Sequence, residues 1–240
     1  MQYGKIVKAR FVERPNRFVA VVDLDGNNTP VHVKNTGRCK ELLVSGAMVY
    51  LEDNSNKGRK LDYDLIAVEK GDLLVNMDSQ APNKVVGEGL KNGRIKLSGM
   101  GELVIIKPEK TYGDSRFDFY VVDEFGREGY LEVKGVTLEH NGVASFPDAP
   151  TERGIKHLNE LTAVKESGMY AGIVFVVQME GMKVFVPNDN RHKAFGEALR
   201  SAKQSGIEVL AHECKVAPDT LTIGGMVPVD LNPSRQSTQI

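Results

Sequence analysis

The sequence has no long hydrophobic stretch and few cysteines, and each absence excludes a class of protein. Its longest apolar run, Ile173 to Val177, is far shorter than the roughly 18 residues that cross a bilayer. The N-terminal residues lack the apolar core of a signal peptide, so we expect a cytoplasmic protein without membrane contacts. The two cysteines, Cys39 and Cys214, are far apart, which excludes a disulfide framework and a zinc ribbon.

Several catalytic motifs are also missing. The five histidines include no HExxH pair, and the sequence contains neither a P-loop nor a nucleophile elbow. The closely spaced glycines near residues 87 and 99 lack the preceding strand and following helix of a dinucleotide-binding fingerprint. The sequence therefore predicts neither a zinc hydrolase, nor a nucleotide-cofactor enzyme, nor a serine hydrolase.

Positive charge is concentrated near the N-terminus. The formal net charge is -1, yet residues 1–40 carry eight Lys or Arg and three acidic residues. This excess favours a polyanion such as DNA, although a solvated surface balanced by acids elsewhere has the same composition. No recognition-helix motif is visible, so we expect phosphate contacts with little sequence preference. The candidate contacts are Lys5, Lys8, Arg10, Arg14, Arg17, Lys34 and Arg38.

The first domain is predicted from short β-branched and aromatic runs separated by turn residues. A helical pattern, Arg38 to Val44, falls where a five-stranded OB-type barrel often carries a helix, and such barrels bind oligonucleotides among other ligands. We expect an OB-like β-barrel over residues 1–80, ending at a polar linker around Asn76 to Asn83. The predicted strands are Tyr3 to Val12, Arg17 to Asp25, Thr29 to Val33, Ala47 to Glu52 and Leu61 to Glu69.

After residue 80 the pattern alternates helices with strands. It predicts a mixed sheet flanked by helices, an α/β domain over residues 81–231, within an α+β chain overall. The apolar run Ala171 to Val177 predicts a strand that is buried on both faces. Residues 232–240 are expected to form a polar tail. The other predicted elements are helices at Lys84 to Asn92, Thr151 to Ser167 and Asn190 to Ser205, and strands at Glu102 to Lys107, Arg116 to Val122, Tyr130 to Leu138 and Ile207 to His212.

Two acidic residues and a lysine are expected to meet on neighbouring strands. Glu132 and Lys134 share one face of a strand, about 7 Å apart. Asp118 lies in the preceding strand, and a turn centred near Phe125 puts it opposite Glu132. Facing carboxylates repel unless a cation neutralises them, and oxygen ligands suit Mg²⁺ or Mn²⁺. The pattern predicts a metal site for phosphodiester hydrolysis; a salt bridge of Lys134 with either acid fits the same residues.

The helix that follows this cluster carries a basic face. Spacings of three and four residues put Arg153, Lys156 and His157 on one face, with Glu160 beside them. We expect these three basic residues to contact the DNA backbone beside the acidic cluster. An ordinary solvated face of an amphipathic helix has the same pattern.

Distinctive sequence blocks surround the predicted acidic cluster. They run from Tyr112 to Phe119, from Glu132 to Leu138 and from Phe146 to Leu158, and a shorter block is Lys34-Asn35-Thr36-Gly37. Over nearly the whole chain, the sequence resembles the sugar fermentation stimulation protein A family. The resemblance implies DNA binding, an OB-like N-terminal domain and a C-terminal domain similar to PD-(D/E)xK nucleases. Lys34 stands where the family usually has proline.

The same resemblance implies a role for each acidic position. Asp118 and Glu132 become metal ligands, and Lys134 orients the attacking water or stabilises the developing charge. Glu109 is the implied upstream acid, with Glu102 as a weaker alternative. Because one fold hosts many functions, three remain open. These are a nuclease dependent on Mg²⁺ or Mn²⁺, a non-catalytic DNA-binding regulator of sugar metabolism genes, and a sugar-responsive interaction protein.

Overall fold

The structure is a computed structural model that describes residues 1–35, 37–55 and 58–233. Its N-terminal sheet consists of β1 (Ile6–Glu13), β2 (Val19–Leu24), β3 (Asn27–Val33), β4 (Met48–Asp53), β5 (Tyr63–Lys70) and β6 (Leu73–Asn76). The strand order is β3-β2-β1-β4-β5-β6, and a parallel β3–β5 pairing closes the first five strands into a barrel. The predicted OB-like barrel is confirmed. Residues 234–240 of the predicted tail, and Thr36, lie outside the described residues.

The predicted helix from Arg38 to Val44 is wrong. This segment forms turns, in which the backbone N–H groups of Leu42 and Leu43 donate to the carbonyl of Cys39 at 3.2 and 2.9 Å. Cys39 has a positive φ of 47°, which a right-handed helix does not accommodate. The apolar side chains that produced the helical pattern are buried against the barrel instead.

The second sheet has the order β15-β14-β12-β9-β8-β7. Parallel pairs join β12 to β9 and β14, and the outer pairs are antiparallel, so the predicted mixed sheet is confirmed. A smaller sheet, β10-β11-β13, was not predicted. The elements are α1 (Ala81–Lys91), β7 (Leu103–Tyr112), β8 (Ser115–Asp123), β9 (Glu128–Val136), β10 (Leu138–His140), β11 (Val143–Phe146), α2 (Glu152–Glu166), β12 (Tyr170–Val177), β13 (Val184–Pro187), α3 (Asp189–Gln204), β14 (Glu208–Ala217) and β15 (Thr220–Met226).

Helices cover both faces of this second sheet. On β12, Ile173 and Phe175 pack into the core on the side of α2 and α3, whereas Val174 and Val176 pack with α1. The prediction that this strand is buried on both faces is therefore confirmed. None of the helices in the described part of the chain combines the length and the apolar content that crossing a bilayer requires.

The barrel and the second sheet meet through a buried polar connection. Asn76 and Asp78, in the predicted linker, are 1% and 0% exposed. The Gln178 side-chain amide donates to the Asn76 side chain and to the Asp78 carbonyl, and the Lys34 ammonium lies 2.7 Å from the Asp78 carboxylate. One hydrophobic cluster also continues from the barrel interior to α2 and α3. The two parts are therefore packed against each other, and the boundary at residue 80 remains a prediction.

A second contact between the two parts involves sequence-distant segments. The Tyr3 N–H donates to the Asp219 carbonyl at 2.8 Å, beside a bridge between Gln2 and Thr220. The Leu221 N–H donates to the Met1 carbonyl at 3.0 Å. The segment before β1 is thus hydrogen-bonded to the β14–β15 hairpin.

Candidate functional site

Asp118 lies where the β8–β9 hairpin opens. The pairing runs from Val122–Glu128 to Phe119–Leu131, which centres the turn at Phe125 as predicted. One step further, the Asp118 carboxylate accepts the Val133 N–H at 2.7 Å, and its other oxygen accepts the Asn83 side-chain amide of α1 at 2.6 Å. Beyond Phe119, the Asp118 side chain therefore takes the place of the backbone pairing between β8 and β9, and donors from β9 and α1 both hold its carboxylate.

The Glu132 carboxylate is buried, with an exposure of 3%. One oxygen accepts hydrogen bonds from the Lys134 ammonium, at 2.5 Å, and from His157 Nδ1. The other oxygen, Oε2, is buried without a hydrogen-bond partner among the described residues. Burial acts to raise the pKa of Glu132, but His157 and Lys134 outweigh burial and lower it. Glu132 is thus a charged group with one oxygen still available.

Asp118 shows the opposite shift. Burial raises its pKa, and the negative charge of Glu132 raises it further, against the lowering effect of its hydrogen-bond donors. The two carboxylates are therefore electrostatically coupled, as the sequence predicted. A cation between them would relieve both the repulsion and the desolvation.

The predicted basic face of α2 needs a correction at one residue. Arg153 and Lys156 are exposed, but His157 is 5% exposed and contacts Glu132 and the ring of Phe117. The Arg153 Nε–H donates to His157 Nε2 at 3.4 Å. His157 thus lies on the buried stripe of α2 with Leu161 and Val164, at spacings of four and seven, and is not accessible to a DNA backbone.

The upstream acids differ in position. Pro108 and Lys110 pair with Phe119 and Phe117, so Glu109 is the neighbour of Asp118 across β7 and β8. Its side chain is 64% exposed and lies 3.6 Å from Arg116. Glu102 is exposed at the far end of β7, beside the turn.

The carboxylates of Asp118 and Glu132 can accept a metal ion, but the predicted ligands do not surround a preformed site. Within the described ranges, no three His, Cys, Asp or Glu side chains are grouped as a metal site, so the predicted set of Glu109, Asp118 and Glu132 is not preassembled. Glu132 Oε2, buried beside Asp118 and unpartnered within the part of the chain that the structure describes, fits a hard cation, because both groups offer oxygen. A cation with several water ligands, such as Mg²⁺, suits two carboxylates better than zinc does.

The basic residues of the barrel fall into two groups. The Arg14 guanidinium donates to four backbone carbonyls, and Lys34 pairs with the buried Asp78, so both stabilise the protein itself. Arg17 and Arg38 are exposed. The phosphate-contact prediction is therefore supported by accessibility for the second pair and not for the first.

Family models match most of the chain. Residues 80–220 match the "Sugar fermentation stimulation protein RE domain", and residues 12–77 match the "SfsA N-terminal OB domain". A sugar fermentation stimulation protein homolog from Clostridium botulinum is 51% identical over 226 residues, covering 94% of this chain and 97% of the relative. A homolog from Clostridium beijerinckii is 48% identical over 231 residues, covering 96% and 100%.

A solved structure has the same fold over almost its full length. It is the structure of Pyrococcus furiosus SfsA in complex with Ca²⁺, which has 26% sequence identity and a TM-score of 0.84. The match covers 96% of this chain and 98% of that one.

Proposed function

This chain belongs to the sugar fermentation stimulation protein family, and on that premise we propose that it binds DNA and hydrolyses phosphodiesters with a divalent metal. The proposed centre consists of Asp118, Glu132 and Lys134. The buried Glu132 Oε2, unpartnered among the described residues and next to a second coupled carboxylate, is the observation that carries the proposal. A carboxylate kept only for a salt bridge needs no free buried oxygen.

Asp118 and Glu132 would hold the metal, with Glu109 reaching it through water. When bound, Mg²⁺ or Mn²⁺ polarises the scissile phosphate and lowers the pKa of a bound water. The Ca²⁺ complex of the Pyrococcus furiosus relative supports a hard cation in this fold.

The remaining groups position these ligands. Asn83 and the Val133 N–H fix the Asp118 carboxylate, and His157 fixes Glu132. The Lys134 ammonium, 17% exposed, lies where it can stabilise negative charge on a phosphate at the two acids. Arg153 and Lys156 are accessible on the adjacent helix and would contact the backbone of the DNA.

The first test measures metal binding and nicking with the same proteins. Calorimetry with Mn²⁺ should show binding to the wild type and none to Asp118→Asn, and plasmid nicking in Mg²⁺ or Mn²⁺ should disappear in that variant. Asp114→Asn is the matched control, because Asp114 is an exposed carboxylate just before the same strand. No heat with the wild type, or equal heat in Asp118→Asn, contradicts the metal site.

A non-catalytic DNA-binding regulator is the second candidate. It is favoured by the exposed cations of the barrel and by the open ligand set, in which Glu109 faces solvent. A wild type that binds Mn²⁺ and DNA yet leaves plasmid intact after long incubation in Mg²⁺ and Mn²⁺ identifies this second function.

A further inference from the structure

An aromatic ring is exposed at the mouth of the barrel. Phe18 is 46% exposed, and the Arg17 guanidinium lies 4.7 Å from its ring centroid. Its backbone is fixed, because the Phe18 N–H donates to the Asn16 side chain at 2.9 Å and its carbonyl accepts the Val33 N–H at 2.8 Å. A large apolar ring held in solvent at a fixed position is a preorganised stacking platform.

The loops beside Phe18 present positive charge. Arg14 donates to the carbonyls of Arg17 and Arg38 at 2.6 and 2.9 Å, and so holds two separate loops together. With Lys40, these arginines line a shallow cavity of about 400 Å³, and none of the described residues that line it is acidic. Such a surface suits phosphate groups.

A second cavity, of about 430 Å³, is lined by Phe18 and by barrel residues that include Glu52 and Asp64. The buried Asp64 carboxylate organises its polar edge, because it accepts hydrogen bonds from Arg59 and the Asn54 amide at 2.8 and 3.1 Å and lies 2.9 Å from His32 Nδ1. An aromatic ring beside fixed polar groups is the composition that recognises a nucleobase by its face and its edge.

This second cavity leads to the acidic centre. Lys84 on α1 lines it and also lines a groove that contains Asn83, Lys91 and Asp118. The exposed cations Lys84 and Lys91 therefore lie along a route from Phe18 to the Asp118 carboxylate, and Glu88 and Glu109 also line its groove.

We propose that this route binds a single DNA strand, with one unpaired base stacked on Phe18 and the backbone passing Lys84 to Asp118. The proposal rests on the proposed DNA-binding function and adds to it the class of substrate. An unpaired base can expose its face to Phe18, whereas a base within a duplex is already stacked on both sides. The substrate is therefore single-stranded DNA or a duplex with an unpaired end.

The test is fluorescence anisotropy in EDTA with a labelled 15-mer of thymidine, a duplex of the same length and a 15-mer of abasic sites. The wild type should bind the thymidine strand more tightly than the duplex. Phe18→Ala should weaken thymidine-strand binding about tenfold, because it removes one base-stacking contact. Binding of the abasic strand, which carries the same phosphates, should be unchanged.

Phe125→Ala is the matched control. Phe125 is also exposed, at 72%, and Arg127 lies 5.0 Å from its ring centroid, but it belongs to the β8–β9 turn. This variant should bind both strands as the wild type does. Thermal melting checks that both variants are folded.

Equal thymidine-strand affinity of Phe18→Ala and the wild type, or an equal loss in Phe125→Ala, overturns the stacking site. A wild type that prefers the duplex overturns the choice of substrate. Because the assay contains no metal, these results are independent of hydrolysis. A protein that nicks duplex plasmid but fails this binding test supports the proposed function and contradicts the single-strand route. A protein that passes the binding test but leaves plasmid intact supports the single-strand route and contradicts phosphodiester hydrolysis.

Discussion

The exposed cations of the barrel and the acidic centre of the mixed-sheet domain lie in opposite environments. In the barrel, Arg17, Arg38 and Lys40 are exposed and their cavity has no acidic residue among its described lining. In the second domain, Glu132 and His157 are buried and contact each other. An exposed charge interacts weakly with its neighbours, so removing one such charge has a small effect. A buried charge is stable only with its partners, so removing one partner has a large effect. We therefore expect substitutions of the exposed barrel cations to have small effects and substitutions in the buried acidic centre to have large ones.

The largest effect is expected on stability, at the buried ion pair between Lys34 of the barrel and Asp78. Lys34 belongs to the barrel and is 14% exposed, and its partner Asp78 is completely buried. Asp78→Ala leaves that ammonium without its partner and should lower the free energy of unfolding by about 3 to 5 kcal/mol. Urea denaturation followed by circular dichroism measures the change. Asp72→Ala, an exposed carboxylate between β5 and β6, is the control, and a similar loss there contradicts the contrast.

The next effect concerns the chemistry of the buried centre. Lys134→Ala should lower the nicking rate about 10²- to 10³-fold, the usual loss when one stabilising donor is removed. Mn²⁺ binding by calorimetry should persist, because the carboxylates remain. Lys156→Ala, which removes an exposed lysine of α2, should change the rate far less. If the two variants lose activity equally, the buried centre is no more sensitive to substitution than the exposed surface.

A smaller effect is expected for the exposed cations of the barrel. Arg17→Ala combined with Arg38→Ala should make the slope of log affinity against log salt less steep by about 1.4 on single-stranded DNA, at roughly 0.7 per phosphate contact. Titrations at several salt concentrations measure the slope. Arg94→Ala with Lys203→Ala is the control, since both side chains are distant in sequence from the barrel and exposed. An unchanged slope in the barrel variant removes these two arginines from the DNA contact.

The smallest effect is a pH dependence within the second domain. Burial acts to raise the pKa of Asp123, but hydrogen bonds from Gly101, Phe125 and Arg127 outweigh burial and lower it to about 2. Its ordinary pKa is near 4, so this stabilisation is complete above about pH 4 and is lost as pH falls towards 2.

Asp123→Asn should therefore lose less stability than the wild type between pH 4 and pH 2. Urea midpoints at several pH values measure the difference. Parallel curves for the two proteins contradict the assignment. Asp25→Asn, in an exposed turn of the barrel, should follow the wild type.

The strands and the hairpin centre could be predicted because they follow from local chemistry. Alternating apolar residues mark one face of a strand, and Gly126 at a positive φ of 77° fixes a tight turn beside Phe125. The segment from Arg38 to Val44 shows the limit of such patterns. Its apolar spacing satisfies a helix, but burial of Leu42 and Leu43 is achieved by turns that start at a left-handed residue.

The acidic pair and Lys134 could also be predicted, but the partners that come from the helices were missed. Asp118 and Glu132 are equally distant from the turn, and that spacing is visible in the sequence. Asn83 and His157 come from α1 and α2, and their contacts depend on how these helices pack on the sheet. The spacing of His157 to Leu161 and Val164 carried the missing signal, because a histidine on an apolar stripe is turned inwards.

The hydrogen bonds between the segment before β1 and the β14–β15 hairpin have a consequence for synthesis on the ribosome. Met1 and Leu221, which contact each other, are 220 positions apart. Translation delivers Met1 220 positions before Leu221, so the nascent barrel emerges well before its hairpin neighbour exists. While the barrel emerges, the segment before β1 therefore has no hairpin partner for its backbone groups, and this contact can form only after Leu221 has left the exit tunnel.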